Sequence, residues 1–237
     1  MLLFCSNYYD LMTPERYQKY QQTLNLRQPD LTVLTDQVHK PHNLSAIIRT
    51  CDAVGIHEVH VTQPKEGYRD FRGRACGSQR WVQVNLYDEV TDAITQLQQQ
   101  GYAIYAAHFS EQAVNFRDVD YCRPCAVLLG AEKKGVSSAA AALVDQHITI
   151  PMQGMVGSFN VSVAAAVILA EAQRQREQAG LYEQARLNQG VYQQTLFQWA
   201  YPELAEYCDQ RGLAYPELDG QGVLINPSDW YAKVKDK

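Results

Sequence analysis

Between residues 31 and 179, six short apolar runs alternate with four stretches of helical periodicity. The runs at 31–34, 58–62, 81–86, 103–107, 126–129 and 147–150 have the length and composition of strands. The stretches 43–54, 89–100, 138–144 and 161–179 read as helices, the second capped by Asp88 and stopped by Gly101. Strands separated by helices are joined by crossovers, which place helices over a mostly parallel sheet. The predicted fold class is therefore α/β. Ligands of such sheets bind beyond the carboxyl ends of the strands. The loops that begin at Gly130 and Met152 both start there, so they can meet. No Gly-x-Gly-x-x-Gly follows the first strand, which counts against a nicotinamide site.

Three segments carry chemistry-bearing residues in ordered positions. In the first, Leu44, Ile47, Ile48 and Cys51 make one apolar helix face, while Ser45, Arg49 and Asp52 make another. Asn43 reads as its N-cap and Gly55 as the residue just past its end. On this segment alone, Arg49 and Asp52 are equally a solvated surface pair worth a few tenths of a kcal/mol. In the second, the strand ending at Leu129 runs into a turn holding Gly130, Glu132 and Gly135, followed by a Ser137-Ser138 helix start. In the third, the run ending at Ile150-Pro151-Met152 crosses a loop with Gly154 and Gly157. It enters a helix through Ser158, Phe159, Asn160 and Ser162. Ser and Asn satisfy the free N–H groups of a helix start, and such a start suits a polar or anionic ligand. It is also ordinary strand-loop-helix punctuation.

In this order the three segments resemble the motifs of the SpoU/TrmH family of RNA ribose 2′-O-methyltransferases, in the SPOUT superfamily. The matching residues are Asn43 and Arg49, then Gly130, Glu132 and Gly135, then Ser158, Asn160 and Ser162. The flanks 27–33, 37–42 and 171–176 resemble the members that act on guanosine 18 of the tRNA D-loop. The resemblance implies a SPOUT-type parallel sheet with a C-terminal trefoil knot, a homodimer with a shared active site, and tRNA as substrate. It implies S-adenosyl-L-methionine as methyl donor, held largely by backbone groups of loops around His108, Gly130 and 150–159. Ile150, Met152 and Phe159 would line the adenine pocket.

By the same resemblance Arg49, Asn43, Glu132, Ser158 and Asn160 form the catalytic set. The family assigns deprotonation of the ribose hydroxyl to the arginine. A guanidinium titrating above 12 is a poor base. Either its pKa is strongly lowered in the assembled site, or Arg49 orients an RNA phosphate that helps take the proton. Asn43 would hold Arg49 or the ribose, and Glu132 would hold Arg49 by a charge-assisted hydrogen bond.

The chain has 237 residues and a net charge of −5, so RNA binding must come from a local basic patch. Lys40, Arg72, Arg74 and Arg80 are the expected RNA contacts, with His39, His42, Arg69, Lys133 and Lys134 around them. Phe71 beside the arginines suits phosphates and unstacked bases. The same composition describes a solvated basic loop. The six cysteines show no disulfide framework. Cys122-Arg123-Pro124-Cys125 has redox spacing but precedes a strand, so a depressed thiol pKa is not expected. The lone histidines read as structural, and no metal site is expected.

No run of about 18 apolar residues and no secretory leader are found, so a cytoplasmic, non-membrane protein is expected. The expected organisation is an N-terminal extension and helix (1–30), a methyltransferase domain (31–179) and an aromatic-rich helical extension (180–237). Thr13 and Pro14 read as cap and first residue of the N-terminal helix, with Met12 as the native start or 1–11 as an extension. The alternatives are methylation of another tRNA or ribosomal RNA site, and a non-catalytic RNA-binding protein on this fold.

Overall fold

The computed structural model describes residues 12–62 and 80–234. Seven parallel strands form one sheet in the order β3-β2-β1-β6-β4-β7-β5. They are β1 (Leu31–Asp36), β2 (Glu58–Thr62), β3 (Gln83–Tyr87), β4 (Ala103–Ala107), β5 (Val114–Asn115), β6 (Cys125–Gly130) and β7 (Gln146–Thr149). Between them run helices α2 (Pro41–Ala53), α3 (Val90–Gln99) and α4 (Ser138–Ala141), and α5 (Val161–Gln178) follows β7. The N-terminal helix is α1 (Pro14–Asn25).

Side chains alternate across a strand, so a strand covered on both sides must be apolar on both. In β6, Val127 and Leu129 enter one core with Leu31, Val33, Ile47, Ile168 and Leu169. Ala126 and Leu128 enter the other with Leu34, Ile94, Leu97 and Ile104. The first core holds residues of α2 and α5, which pack together, and the second holds residues of α3 and α4.

Three boundaries correct the sequence reading. Pro41 takes the first turn of α2, so the cap is Lys40 and Asn43 lies inside the helix with its side chain free for other work. Helix α3 begins one residue after Glu89, which makes no side-chain cap bond, and Asp88 is not the cap. Strand β5 is two residues long, too short to leave a period in the sequence. Thr13 does cap α1, its hydroxyl accepting the Arg16 N–H at 3.2 Å.

A buried ion pair ties the amino-terminal end of the sheet. Arg176 on α5 is fully buried. Its guanidinium donates to the Asp30 carboxylate at 2.6 Å, to Gln28 Oε1 at 3.0 Å, and to the carbonyls of Tyr121, Asp30 and Arg123 at 2.8–3.2 Å. One side chain thus joins α5 to the lead-in of β1 and to the segment before β6.

Among the described residues, those between 28 and 183 make one compact unit, and 12–27 with 184–234 make a second. The N-terminal helix therefore groups with the C-terminal helices α6 (Gln189–Ala200), α7 (Pro202–Arg211) and α8 (Pro227–Val234). Aromatic rings hold this unit together. Tyr20 meets Trp199 edge-on at 5.9 Å, the Arg27 guanidinium lies over the same indole at 5.2 Å, and Phe197 stacks on Tyr215 at 4.5 Å.

Two substitutions test this frame. Arg176→Ala removes the buried half of this pair with all of its hydrogen bonds and should cost about 3–5 kcal/mol in urea unfolding. Gly130→Ala should cost at least about 2–3 kcal/mol, because a Cβ there would lie 2.1 Å from backbone atoms of Gly135 and Val136.

Candidate active site

The ends of β1 and β6 are in register, Asp36 beside Gly130, and Ala107 of β4 lies beside Ile148 of β7. Four loops therefore leave the same edge of the sheet side by side. After β1 the chain reverses through Gln37, which takes the left-handed region at φ 53°. Val38 then buries itself and His39 and Lys40 lie outward before Pro41 opens α2. The Asp36 carboxylate accepts the Ser137 N–H at 2.7 Å and so pins the loop after β6 to the end of β1.

That loop is a tight turn. Ala131 and Gly135 exchange both backbone hydrogen bonds, at 3.0 and 2.8 Å. Gly135 has φ 68°, and Gly130 leaves no room for a side chain. The turn aims Glu132 at the start of α2. Glu132 Oε1 accepts the Asn43 side-chain amide at 2.7 Å and the Lys40 N–H at 3.4 Å. The His39 Nδ1 stands 2.8 Å from the other oxygen, Oε2, which is buried and accepts no aligned hydrogen bond. Asn43 is itself buried, and its Oδ1 accepts from Asn160 Nδ2 at 3.3 Å. Asn160 caps α5, its Oδ1 accepting the Ser162 N–H at 2.8 Å and the Ser162 hydroxyl at 2.7 Å. A continuous polar chain thus runs from His39 through Glu132, Asn43 and Asn160 to Ser162, across all three sequence motifs.

Burial would raise the Glu132 pKa. The Asn43 amide, its own backbone N–H, the charge of His39 and the Lys40 N–H together outweigh burial and hold it below the usual carboxylate value.

Arg49 is exposed on α2, six residues past Asn43 and about 240° around the helix axis. It makes no hydrogen bond or ion pair with Glu132 or Asn43; the donors around Glu132 are those named above. Ser158 and Phe159 are exposed on the loop between β7 and α5, with Met155 and Val156. Ile150 and Met152 are half-buried at its start, and Ile150 packs on the core. After β4, the His108 N–H donates to the Ile148 carbonyl at 3.2 Å, and its ring meets His147 edge-on at 5.1 Å. His147 Nε2 donates to the Ala141 carbonyl at 2.9 Å, since a carbonyl only accepts, and its Nδ1 meets the Ser110 hydroxyl at 2.8 Å. Burial, then the neighbouring His147, lowers the His108 pKa.

The structure therefore joins Asn43, Glu132 and Asn160 directly. It sets Gly130, His108, Ile150, Met152 and Phe159 on loops of the same edge, and leaves Arg49 and Ser158 outside the hydrogen-bonded chain. Arg80 is exposed, its guanidinium 4.8 Å from the Trp81 ring centre. Arg72 and Arg74, like residues 1–11, lie outside the described residues. The partnership of His39 with Glu132 escaped the sequence reading, which placed His39 in a basic patch. Pro41 was the available signal, since it fixes the helix start and turns Asn43 inward.

Among the described residues no cluster of three His, Cys, Asp or Glu side chains is placed to hold a metal ion, and no helix is long and apolar enough to cross a membrane. Burial raises the thiol pKa of Cys122, and raises that of Cys125 to about 12, the opposite of what a redox pair needs.

Residues 30–170 match the SpoU rRNA Methylase family, and 174–227 match the SpoU rRNA methylase C-terminal family. The chain is 50% identical over 226 residues to a tRNA (guanosine(18)-2′-O)-methyltransferase of Escherichia coli K12, covering 94% of this chain and 99% of that one. It is 52% identical over 187 residues to the enzyme of the same name from Thermus thermophilus, covering 79% of this chain and 96% of the relative. The crystal structure of the A. aeolicus TrmH/SpoU tRNA modifying enzyme superposes with a TM-score of 0.75 at 39% identity, over 80% of this chain and 97% of that one. The SpoU methyltransferase AviRb from Streptomyces viridochromogenes, solved in complex with the cofactor AdoMet, superposes with a TM-score of 0.57 at 28% identity, over 64% of this chain and 62% of that one. The shared edge of loops, the ordered motifs within it and these matches together establish that the chain belongs to the SpoU/TrmH methylase family.

Proposed function

We propose that this protein transfers a methyl group from S-adenosyl-L-methionine to the ribose 2′-oxygen of guanosine 18 in the tRNA D-loop. The observation that carries the reading is the hydrogen-bonded chain Glu132–Asn43–Asn160, which draws three motifs, far apart in sequence, to one sheet edge. Relatives matched over nearly the whole chain bear the name of that activity.

The residues present suit the methyl donor. Ile150, Met152 and Phe159 offer apolar surface for an adenine, and the strand ends offer backbone donors and acceptors. When bound, S-adenosylmethionine supplies a methyl group on an already activated sulfonium. The work left to the protein is to place the acceptor oxygen and remove its proton. Asn43 and Asn160 hold the α2 start and the α5 start at a fixed spacing. Arg49 stands exposed on the same helix, where an RNA phosphate can reach it. That placement favours the route in which the guanidinium orients a phosphate that helps take the proton.

The homodimer belongs to the same proposal. The loop before α5 and its first turn expose Met155, Val156, Phe159 and Val163, an apolar surface that a second copy would cover. A C-terminal trefoil knot and a cytoplasmic location complete it.

Tritiated-methyl transfer to unmodified tRNA, with mapping of the labelled nucleotide, tests the reading. Label at guanosine 18 is expected; absence of label overturns methyl transfer, and label elsewhere overturns the target. Arg49→Lys keeps the charge but loses the planar fork. It should lower turnover on the order of 100-fold or more, with the cofactor dissociation constant measured by calorimetry within about twofold of the parent. The lowered Glu132 pKa has a defined sign: its tie to Asn43 is complete at neutral pH and is lost only as pH falls through the depressed value. The NMR signals of the Asn43 side-chain amide should therefore hold their positions down to the usual carboxylate value of 4.5 and move below it.

A further inference from the structure

Glu132 is a carboxylate with unequal halves. Its Oε1 has two donors, Asn43 and the Lys40 N–H, while Oε2 is buried and lacks an aligned hydrogen bond. Leaving half of a buried carboxylate unpaired is costly. His39 is the group beside it: Nδ1 stands 2.8 Å from Oε2, and the imidazole is nearly half exposed while the Glu132 side chain is nine-tenths buried. The imidazole is therefore placed between the buried acid and solvent.

Backbone geometry sets this placement. Gln37 takes a left-handed turn, and Val38 is 1% exposed and anchors the segment. With Pro41 fixing the start of α2 and Val38 fixed in the core, the two residues between them, His39 and Lys40, are held against the Glu132 turn. A non-glycine residue in the left-handed region costs on the order of 1 kcal/mol and persists where surrounding structure imposes it.

We propose that His39 is a positioning residue for the methyl-transfer site: it covers Oε2 of Glu132, fixes the carboxylate's rotamer, and so holds Asn43 and, through Asn43, the Asn160 cap of α5. The inference rests on the reading of this site as a ribose methyltransferase. It adds a residue outside the catalytic set that the resemblance implied. His39 acts on its neighbours and need not touch the acceptor ribose. Glutamine is the conservative replacement, because its amide can donate to the same oxygen. Leucine removes the donor at similar size.

The test compares His39→Leu, His39→Gln, Glu132→Gln and the double variant His39→Leu/Glu132→Gln in methyl transfer to unmodified tRNA, with cofactor binding by calorimetry. His39→Leu should lower kcat about 10- to 100-fold, as a misplacement of about 1 Å in a catalytic constellation does. The KM for tRNA and the cofactor dissociation constant should stay within about threefold. His39→Gln should restore most of kcat. On the Glu132→Gln background, His39→Leu should cost less than about threefold, because the charge it serves is gone.

Full kcat in His39→Leu, or the same loss on both backgrounds, would overturn the proposal. So would a defect confined to KM for tRNA, which would make His39 an RNA contact. The same four chains are to be compared by thermal unfolding without ligand. Non-additive melting temperatures support the His39–Glu132 tie even if the parent proves inert on every RNA, and additive ones refute it. Failure of the methyltransferase reading and failure of this one are thereby separate results.

Discussion

The guanidinium of Arg176 is the constraint on which the order of the sheet and its loops depends. It is a charge carried entirely inside the protein, and it is tolerated because every direction it can donate in meets an oxygen. Those oxygens belong to the entry of β1, the segment before β6 and the side chain of Gln28. Fixing that end of β1 and β6 fixes where both strands finish, and Glu132 rides on the turn that follows. The helix carrying Arg176 is the one whose first residues follow the Asn160 cap. A buried ion pair at one end of the sheet thus sets the stage on which the polar chain at the other end is assembled.

The polar chain obeys the same logic on a smaller scale. Asn43 is buried, and both ends of its amide are used, one toward Glu132 and one toward Asn160. Each bond is worth only about 1 kcal/mol net, but breaking one orphans a buried partner, and that asymmetry makes the chain cooperative. The loops after β6 and β7 have anchors of their own in Val136, the Asp36–Ser137 bond and Ile150, and the polar chain adds the tie that joins both to α2.

Much of this was readable from the residues. The alternation of runs between 31 and 179 gave the α/β class because its physics is local: period, length and punctuation. The three motifs gave the candidate site because their residue types survive as text. What the text could not carry was partnership. Gln28, Asp30 and Arg176 stood out as flanking matches, yet nothing in their spacing says that they bond one another. Asn43 reads as a cap because Asn before an apolar period usually is one; Pro41, two residues earlier, starts the helix sooner and turns the amide inward. Charge alone groups His39 with the basic residues, and the left-handed turn at Gln37 brings it to a carboxylate. The N-terminal helix gives no local sign that it clusters with segments more than 150 residues away.

The close approach at Gly130 bears on how function at this edge is to be judged. Position 130 contributes backbone and nothing else, and the space where any other residue would begin is filled by the peptide of Gly135. If Arg49 has the role proposed for it, a saturation scan scored by methylated product would rank the two positions together. The two kinds of intolerance differ in origin: one is a shortage of volume, the other a shortage of chemistry. Abundance of soluble protein, measured for the same variants, separates them.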